Sequence, residues 1–258
     1  MKSLGRSIAA RAAFVKYEKW TDPRVKRWHT SRVRYGQYCP VAKAAEVLGE
    51  RWTLLIVRDV MEGAHRFNDL YAGLPGISRT LLSGRLRQLV GDRLLERREA
   101  NGHPEYWLTP LGLDLQPAVF ALGEWAVRNY GRDPERDELN PEVLMLWIER
   151  HVNRDALPDG RFVARFEFRG SHQHARAWLV SQDHSPRVCH DDPRFEVDLV
   201  VTSAVRTLHL VFAGRLAMSA ALRDGSIALE GTMQARRSFT RWFGYSPFAT
   251  AAREALAS

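Results

Sequence analysis

The chain has 258 residues, 45% of them hydrophobic and 26% charged, a globular composition with room for two domains of ordinary size. No apolar run approaches the ~20 residues of a membrane-spanning helix, and two cysteines, Cys39 and Cys189, are too few for a disulfide framework and fit a reducing cytoplasm. The net charge of +8 sits at the start: residues 1–34 hold ten of the 38 Lys and Arg but two of the 30 acids, so the remainder is balanced. Overall charge therefore does not argue for a nucleic-acid partner.

The basic stretch 1–34 reads as an extension, either a flexible arm on nucleic acid or a solvated, disordered segment. It is no secretory signal, because Arg11 and Lys16 interrupt any apolar core. Organisation begins at residues 40–48, a short helix with Cys39 before it, Pro40 at its first position and Gly49 closing it. "RWTLLIVRDVM" is apolar nearly all round and predicts a buried helix. "RFNDLYAGL" predicts a third, shorter helix ending near Gly73.

Ser78 is a natural N-cap for the next helix, "RTLLSGRLRQLVG". Leu82, Leu86, Leu89 and Val90 form one buried stripe at i, i+4, i+7 and i+8. Thr80, Ser83, Gly84 and Arg87 recur on the opposite side, a short polar face free of carboxylates until Asp92. Solvated helix faces usually mix Glu with Lys; this one is suited to close approach to an anion. The following "LLERREANGHPEYWL" predicts a β-hairpin, since Asn-Gly at 101–102 tolerates the positive φ of a two-residue turn.

Helices followed by a two-stranded wing define a winged helix-turn-helix, whose recognition helix enters the major groove. Arg79, Thr80, Ser83, Gly84 and Arg87 are then the base-facing candidates, and Arg66, Arg97, Arg98 and His103 the phosphate candidates. A longer helix is expected from Thr109-Pro110 to about Tyr130, bent at Pro117. Its seam of Leu111, Leu115, Ala118, Leu122 and Trp125 follows the 4-3-4-3 spacing of a helix that pairs with another helix, either across a homodimer or over the chain's own core, the dimer being the favoured reading.

A charged, Pro-containing stretch at 132–139 reads as a linker between a domain at 35–131 and a second one at 140–258. The second is expected to be α+β with a mostly antiparallel sheet, giving a multi-domain chain. Its pattern is a helix at 143–151, strands in "RFVARFEF", "ARAWLV" and "FEVDLVVT", helices at 204–212 and 215–222, the strand "SIALEG" and a last helix from about 232 to 243. Trp178, Phe195, Val197, Leu199, Leu208, Phe212, Met218, Leu229, Phe239 and Trp242 form its apolar wall, either ordinary core or the lining of a ligand pocket.

Cys39-Pro-Val, Gly49-Glu-Arg-Trp, Arg66-Phe-x-x-Leu, Pro75-Gly-Ile-Ser and the continuation "EYWLTPLG" follow one another in the order and spacing of the HxlR-type bacterial transcriptional regulators. The resemblance covers about residues 38–130. It implies a dimeric winged-helix protein that binds double-stranded DNA at an inverted repeat. Family members often start just ahead of this motif, so the extension before Arg34 departs from the pattern. Some relatives sense oxidants or electrophiles through a cysteine placed like Cys39, at a helix entrance where unpaired N–H groups favour a thiolate.

The stretch "LVFAGRLAMSAALRDGSIALEGTMQARRSFTRWF" resembles a sterol carrier protein type-two fold, through its Asp-Gly turn, short strand and amphipathic closing helix. That resemblance implies a small hydrophobic ligand. His172, His174 and "CHDD" at 189–192 match no standard zinc spacing, and no nucleophile–base pair or phosphate loop is present. Neither metal, cofactor nor catalysis is expected. The sequence thus reads as a ligand-responsive regulator, modulated through the second domain or through Cys39. The alternative is a lipid or small-molecule carrier whose winged-helix part serves mainly as a dimer scaffold.

Overall fold

The computed structural model describes residues 34–100, 102–170 and 175–257. The expectations for the basic extension up to residue 33, for Asn101, and for His172 and His174 lie outside the described residues. The chain forms two compact units, Met1–Glu50 and Arg51–Ser258.

In the first unit, α1 (Pro40–Leu48) has Pro40 in its first turn, as expected. Gly49 does close it, but in right-handed conformation, with its N–H on the Ala45 carbonyl at 2.8 Å. Glu46 is buried and accepts from the Tyr35 N–H at 3.0 Å and from Lys43 Nζ at 3.0 and 3.1 Å.

The second unit opens on Trp52, whose φ of 78° places a bulky residue in the left-handed region immediately before α2 (Thr53–Met61). Such a backbone costs roughly 1–3 kcal/mol and persists only where its surroundings hold it. Ile56, Val57 and Val60 are buried, as the apolar run predicts, and so is Asp59, which it does not predict. α3 (Phe67–Gly73) follows, then α4 (Arg79–Gly91), capped by Ser78 Oγ accepting from the Leu81 N–H at 3.2 Å. Leu82, Leu86 and Leu89 are fully buried. β1 (Leu95–Ala100) pairs antiparallel with β2 (His103–Leu108), and the Ala100–His103 register leaves a two-residue loop whose Gly102 has φ of 74°.

The helix expected from 109 to 130 is two helices, α5 (Pro110–Leu113) and α6 (Gln116–Tyr130). Pro117 is the cause: without an N–H and with a ring that crowds the carbonyl four residues back, it fits the first turn of a new helix better than the middle of an old one. Gly112 lies where α5 touches the wing, and a Cβ there would be 2.2 Å from the Leu94 carbonyl oxygen.

Residues 132–139 are fastened rather than loose. Arg132 makes two 2.8 Å hydrogen bonds to Glu138, and Asp133 takes ion pairs from Arg206 and Arg215. α7 (Pro141–His151) follows, N-capped by Asn140. The sheet contains β3 (Arg161–Arg169), β4 (Arg176–Gln182), β5 (Ser185–Cys189), β6 (Leu199–Ala204) and, after α8 (Val205–Phe212) and α9 (Met218–Arg223), β7 (Ile227–Gly231). Its order is β5-β4-β3-β6-β7. Three of its pairings are antiparallel, but β3 and β6 run parallel, so the sheet is mixed where a mostly antiparallel one is expected.

The strand expected from Phe195 begins only at Leu199. Before it, Arg194 has φ of 58°, and Asp198 donates its N–H to the Val163 carbonyl at 3.0 Å while its carboxylate, not its carbonyl, accepts from the Val163 N–H at 2.8 Å. α10 (Met233–Trp242) is not the last helix: α11 (Ala249–Ala257) follows and packs on α6, with Phe248 against Phe120 at 5.6 Å between ring centres.

Residues from α7, α8, α9 and α10 share one core with one face of the sheet, including Met145, Leu208, Met218, Phe239 and Phe166. At ~25 cal/mol per Å² of apolar surface removed from water, side chains of this size contribute roughly 1.5–3 kcal/mol each.

Candidate nucleic-acid interface

α4 owes its position to the Leu82, Leu86 and Leu89 stripe, and its other side follows from that burial. Thr80, Arg79 and Arg87 are exposed, and Ser83 and Gly84 half-exposed. A shallow depression is lined by Phe67, Arg79, Thr80, Ser83 and Arg87, so four of the five expected base-facing residues come together. Gly84 lies beside them, and a Cβ added there would meet nothing within 4 Å. The surface is open, small and uncharged between two guanidinium groups.

The two arginines are oriented rather than loose. Arg87 donates from Nη1 to Ser83 Oγ at 3.0 Å, one turn back. Arg79 donates to Asn68 Oδ1 at 3.3 Å and lies 4.4 Å from the Tyr71 ring centre and 5.9 Å from that of Phe67. Asn68, Phe67 and Tyr71 thus fix Arg79 from α3, a role the sequence reading did not assign. The readable signal was the i, i+4 spacing of Phe67 and Tyr71, which puts both rings on one helix face.

Three of the four expected phosphate contacts are tied to an acid. Arg66 pairs with Glu105 at 3.2 Å, Arg97 with Glu99 at 2.7 Å, and Arg98 with Glu96. Arg98 also covers the Trp107 ring at 5.2 Å, and Trp107 stacks on His65 at 3.6 Å. His103 is exposed beside the turn. The alternating acid and base of "LERRE" would have disclosed the two pairs within β1, because residues two apart on a strand share a face. The Arg97–Glu99 and Arg98–Glu96 pairs are exposed, where such an interaction contributes about 0–1 kcal/mol, so a phosphate group can exchange with the carboxylate, whereas Glu105 is half-buried.

On α5 and α6, Leu111, Leu122 and Trp125 are 44%, 50% and 51% exposed, while Leu115 is half-buried. The opposite side of α6 packs on its own chain. At Gly123 a Cβ would come within 2.3 Å of the Phe248 ring. Cys39 is a free, half-buried thiol at the N-terminal end of α1, with no side-chain capping bond. Cys189, on β5, has its thiol pushed up by burial and by the charges of Glu149 and Asp191.

Of the expected pocket residues, Leu199, Leu208, Phe212, Met218, Phe239 and Trp242 pack into the shared core with Leu229 against it; Trp178 is buried but outside that cluster. Phe195 is 42% exposed beneath Arg161, and Val197 is half-buried, ahead of β6. Among the described residues no group of three His, Cys, Asp or Glu could hold a metal ion. No helix of the described residues is long and apolar enough to cross a membrane.

Helices α2, α3 and α4 and a two-stranded wing, with an outward face of small polar residues and arginines on α4, define a winged helix-turn-helix fold. The HxlR-like helix-turn-helix family description matches residues 47–134. The uncharacterized HTH-type transcriptional regulator YtfH of Escherichia coli K12 is 35% identical over 120 residues, 45% of this chain and 86% of that protein. The uncharacterized HTH-type transcriptional regulator Rv3095 of Mycobacterium tuberculosis H37Rv is 46% identical over 88 residues, 33% of this chain and 55% of that protein. The chain thus spans about half the length of the mycobacterial relatives it matches. Among solved structures, the reduced form of the transcriptional regulator YodB from B. subtilis is 31% identical and covers 36% of this chain and 95% of that one, with a TM-score of 0.32. The chain belongs to the HxlR-like helix-turn-helix family.

Proposed function

We propose that the protein is a homodimeric, effector-modulated transcription regulator that inserts α4 into the major groove at each half of an inverted-repeat operator. The observation that carries this reading is the outward face of α4, where Arg79, Thr80, Ser83 and Arg87 line one depression. In this reading Arg87 reads a base edge, Arg79 reaches a base or a phosphate, and Gly84 lets the helix sit deep in the groove. Arg66, Arg97, Arg98 and His103 position the wing on phosphates without specifying sequence. Leu111, Leu115, Leu122 and Trp125 form the dimer contact, which sets half-sites about one helical turn apart. The C-terminal half and Cys39 are the two places through which an effector acts, each by favouring one of two dimer states.

The test is binding of the purified protein to its own promoter fragment at fixed salt, with an unrelated fragment as competitor. Specific retention is expected. Equal binding to both fragments would leave only salt-dependent attraction to phosphate and would defeat the regulator reading.

A further inference from the structure

The residues expected to line a ligand pocket largely form the core, and a hollow of ligand size lies elsewhere. A cavity of about 710 Å³ opens between the C-terminal end of α6, the fastened 131–138 stretch, α8 and α11. That volume is within the ~300–1,000 Å³ range of small-molecule sites. Its walls are apolar: Ala126, Leu210, Phe248 and Ala252 come from three helices and the turn before α11. Its rim is basic, with Arg128, Arg132 and Arg215 against the single acid Glu138.

The polar groups around it are incompletely used. His209 Nδ1 is buried with no hydrogen-bond partner among the described residues. Arg215 donates from Nη1 to the Arg132 carbonyl oxygen, but its Nη2 meets Asp133 only at 3.5 Å, longer than a hydrogen bond to a carboxylate, and Arg128 meets Glu124 at 3.4 Å. These acids are about half exposed, so a carboxylate arriving from solvent can replace them.

We infer that this cavity binds a small amphipathic anion, an aromatic or alkyl body bearing one carboxylate. The body lies on Leu210, Phe248 and Ala252, the carboxylate meets the Arg128, Arg132 and Arg215 rim, and the His209 tautomer with a proton on Nδ1 supplies a further donor. Burial holds His209 below the ordinary histidine range, which keeps the ring neutral near pH 7 and ready to act as that donor. Ala126 and Tyr130 of α6 line the site, while Leu122 and Trp125 on the same helix are exposed. An occupant therefore touches the helix that carries the proposed dimer face. Its role as effector rests on the regulator reading; the binding does not.

The experiment uses the full chain without DNA, titrated with 8-anilinonaphthalene-1-sulfonate followed by fluorescence, and then with 2-naphthoate as competitor. Saturable, blue-shifted fluorescence displaced by 2-naphthoate is expected, with affinity reduced at least ~10-fold in Ala213→Phe, which narrows the cavity from a half-buried position. Arg215→Gln should weaken 2-naphthoate several-fold, and His209→Leu should weaken it as well. Each variant is first required to melt cooperatively, and His209→Leu serves if Ala213→Phe does not. Absence of binding, displacement failure, or equal affinity in the folded cavity variants would overturn the site. Promoter retention is scored separately: binding of 2-naphthoate without specific retention overturns the regulator reading and leaves the site standing.

Discussion

Asp59 of α2 and Arg150 of α7 meet at 3.8 Å, the carboxylate fully buried and the guanidinium 11% exposed. The contact joins the helix-turn-helix segment to the first helix of the α+β segment. Arg58 holds the same oxygen, Asp59 Oδ1, with two hydrogen bonds of 2.8 and 2.9 Å, while Asp59 Oδ2 and Arg150 Nη1 have no hydrogen-bond partner among the described residues. Gly73 of α3 closes over them, and a Cβ there would lie 2.5 Å from Asp59 Oδ2. Trp147 lies under both arginines, and His151 reaches Glu62 at 3.1 Å alongside.

Removing one member should be felt by the whole unit. Arg150→Met leaves a buried carboxylate with less opposing charge, and an incompletely paired group of that kind costs about 1–3 kcal/mol. Gly73→Ala should cost a similar ~1–3 kcal/mol, because the methyl group has to displace Asp59. Urea denaturation of each variant measures this. A midpoint unchanged in both would show that the cluster carries no stability.

The DNA reading separates Arg87 from the wing. Arg87→Ala should lose ~1–3 kcal/mol of discrimination between operator and mismatched duplex. Glu99→Gln should do the opposite of a lesion: it frees Arg97 from its 2.7 Å pair and should raise affinity for any duplex a few-fold, with a steeper salt dependence. Electrophoretic or anisotropy titrations at two salt concentrations distinguish the two. Equal loss on all DNA for Arg87→Ala would reduce it to a phosphate contact.

These particulars show what the sequence discloses. The stripe of Leu82, Leu86 and Leu89 dictates α4 and its exposed side, because burying one face of a helix determines which residues oppose it. The short hairpin and Ser78 cap were equally legible, being local. Asp59 was not, since a single carboxylate within an apolar run gives no sign of the Arg150 that meets it 91 positions later. Nor was the parallel β3–β6 pairing, which depends on contacts remote in sequence. α11 has Ala at five of its nine positions and only Leu256 as a large apolar residue to mark it, although it forms one wall of the cavity. "EYWLTPLG" was recognisable as a motif, but the reason for its Gly112 is the Leu94 carbonyl on which it rests.

The dimer contact has a direct test. Leu122 and Trp125 lie on the exposed side of α6, away from Gly123 and Phe248, so changing them should spare the fold. Trp125→Glu places a charge on each side of a symmetric contact and should convert dimer to monomer in sedimentation at micromolar protein. Operator affinity should fall with it, since each half-site alone contributes part of the binding. A variant that stays dimeric would move the interface to another surface.

Acid should weaken the native state through His209. Burial pushes its imidazole below the ordinary value of 6.5, with the Glu138 charge opposing. A depressed folded-state pKa means the unfolded chain takes up the proton first. The stability contributed by the neutral ring is therefore complete above about 6.5 and lost as pH falls through the folded-state value. Arg132 and Arg215 line the same cavity as His209 and Glu138. His209→Leu removes the titrating group, so thermal melts of the two proteins between pH 7 and 5 should diverge, the variant falling less steeply. Parallel curves over that range would show that burial of His209 does not govern the acid limb.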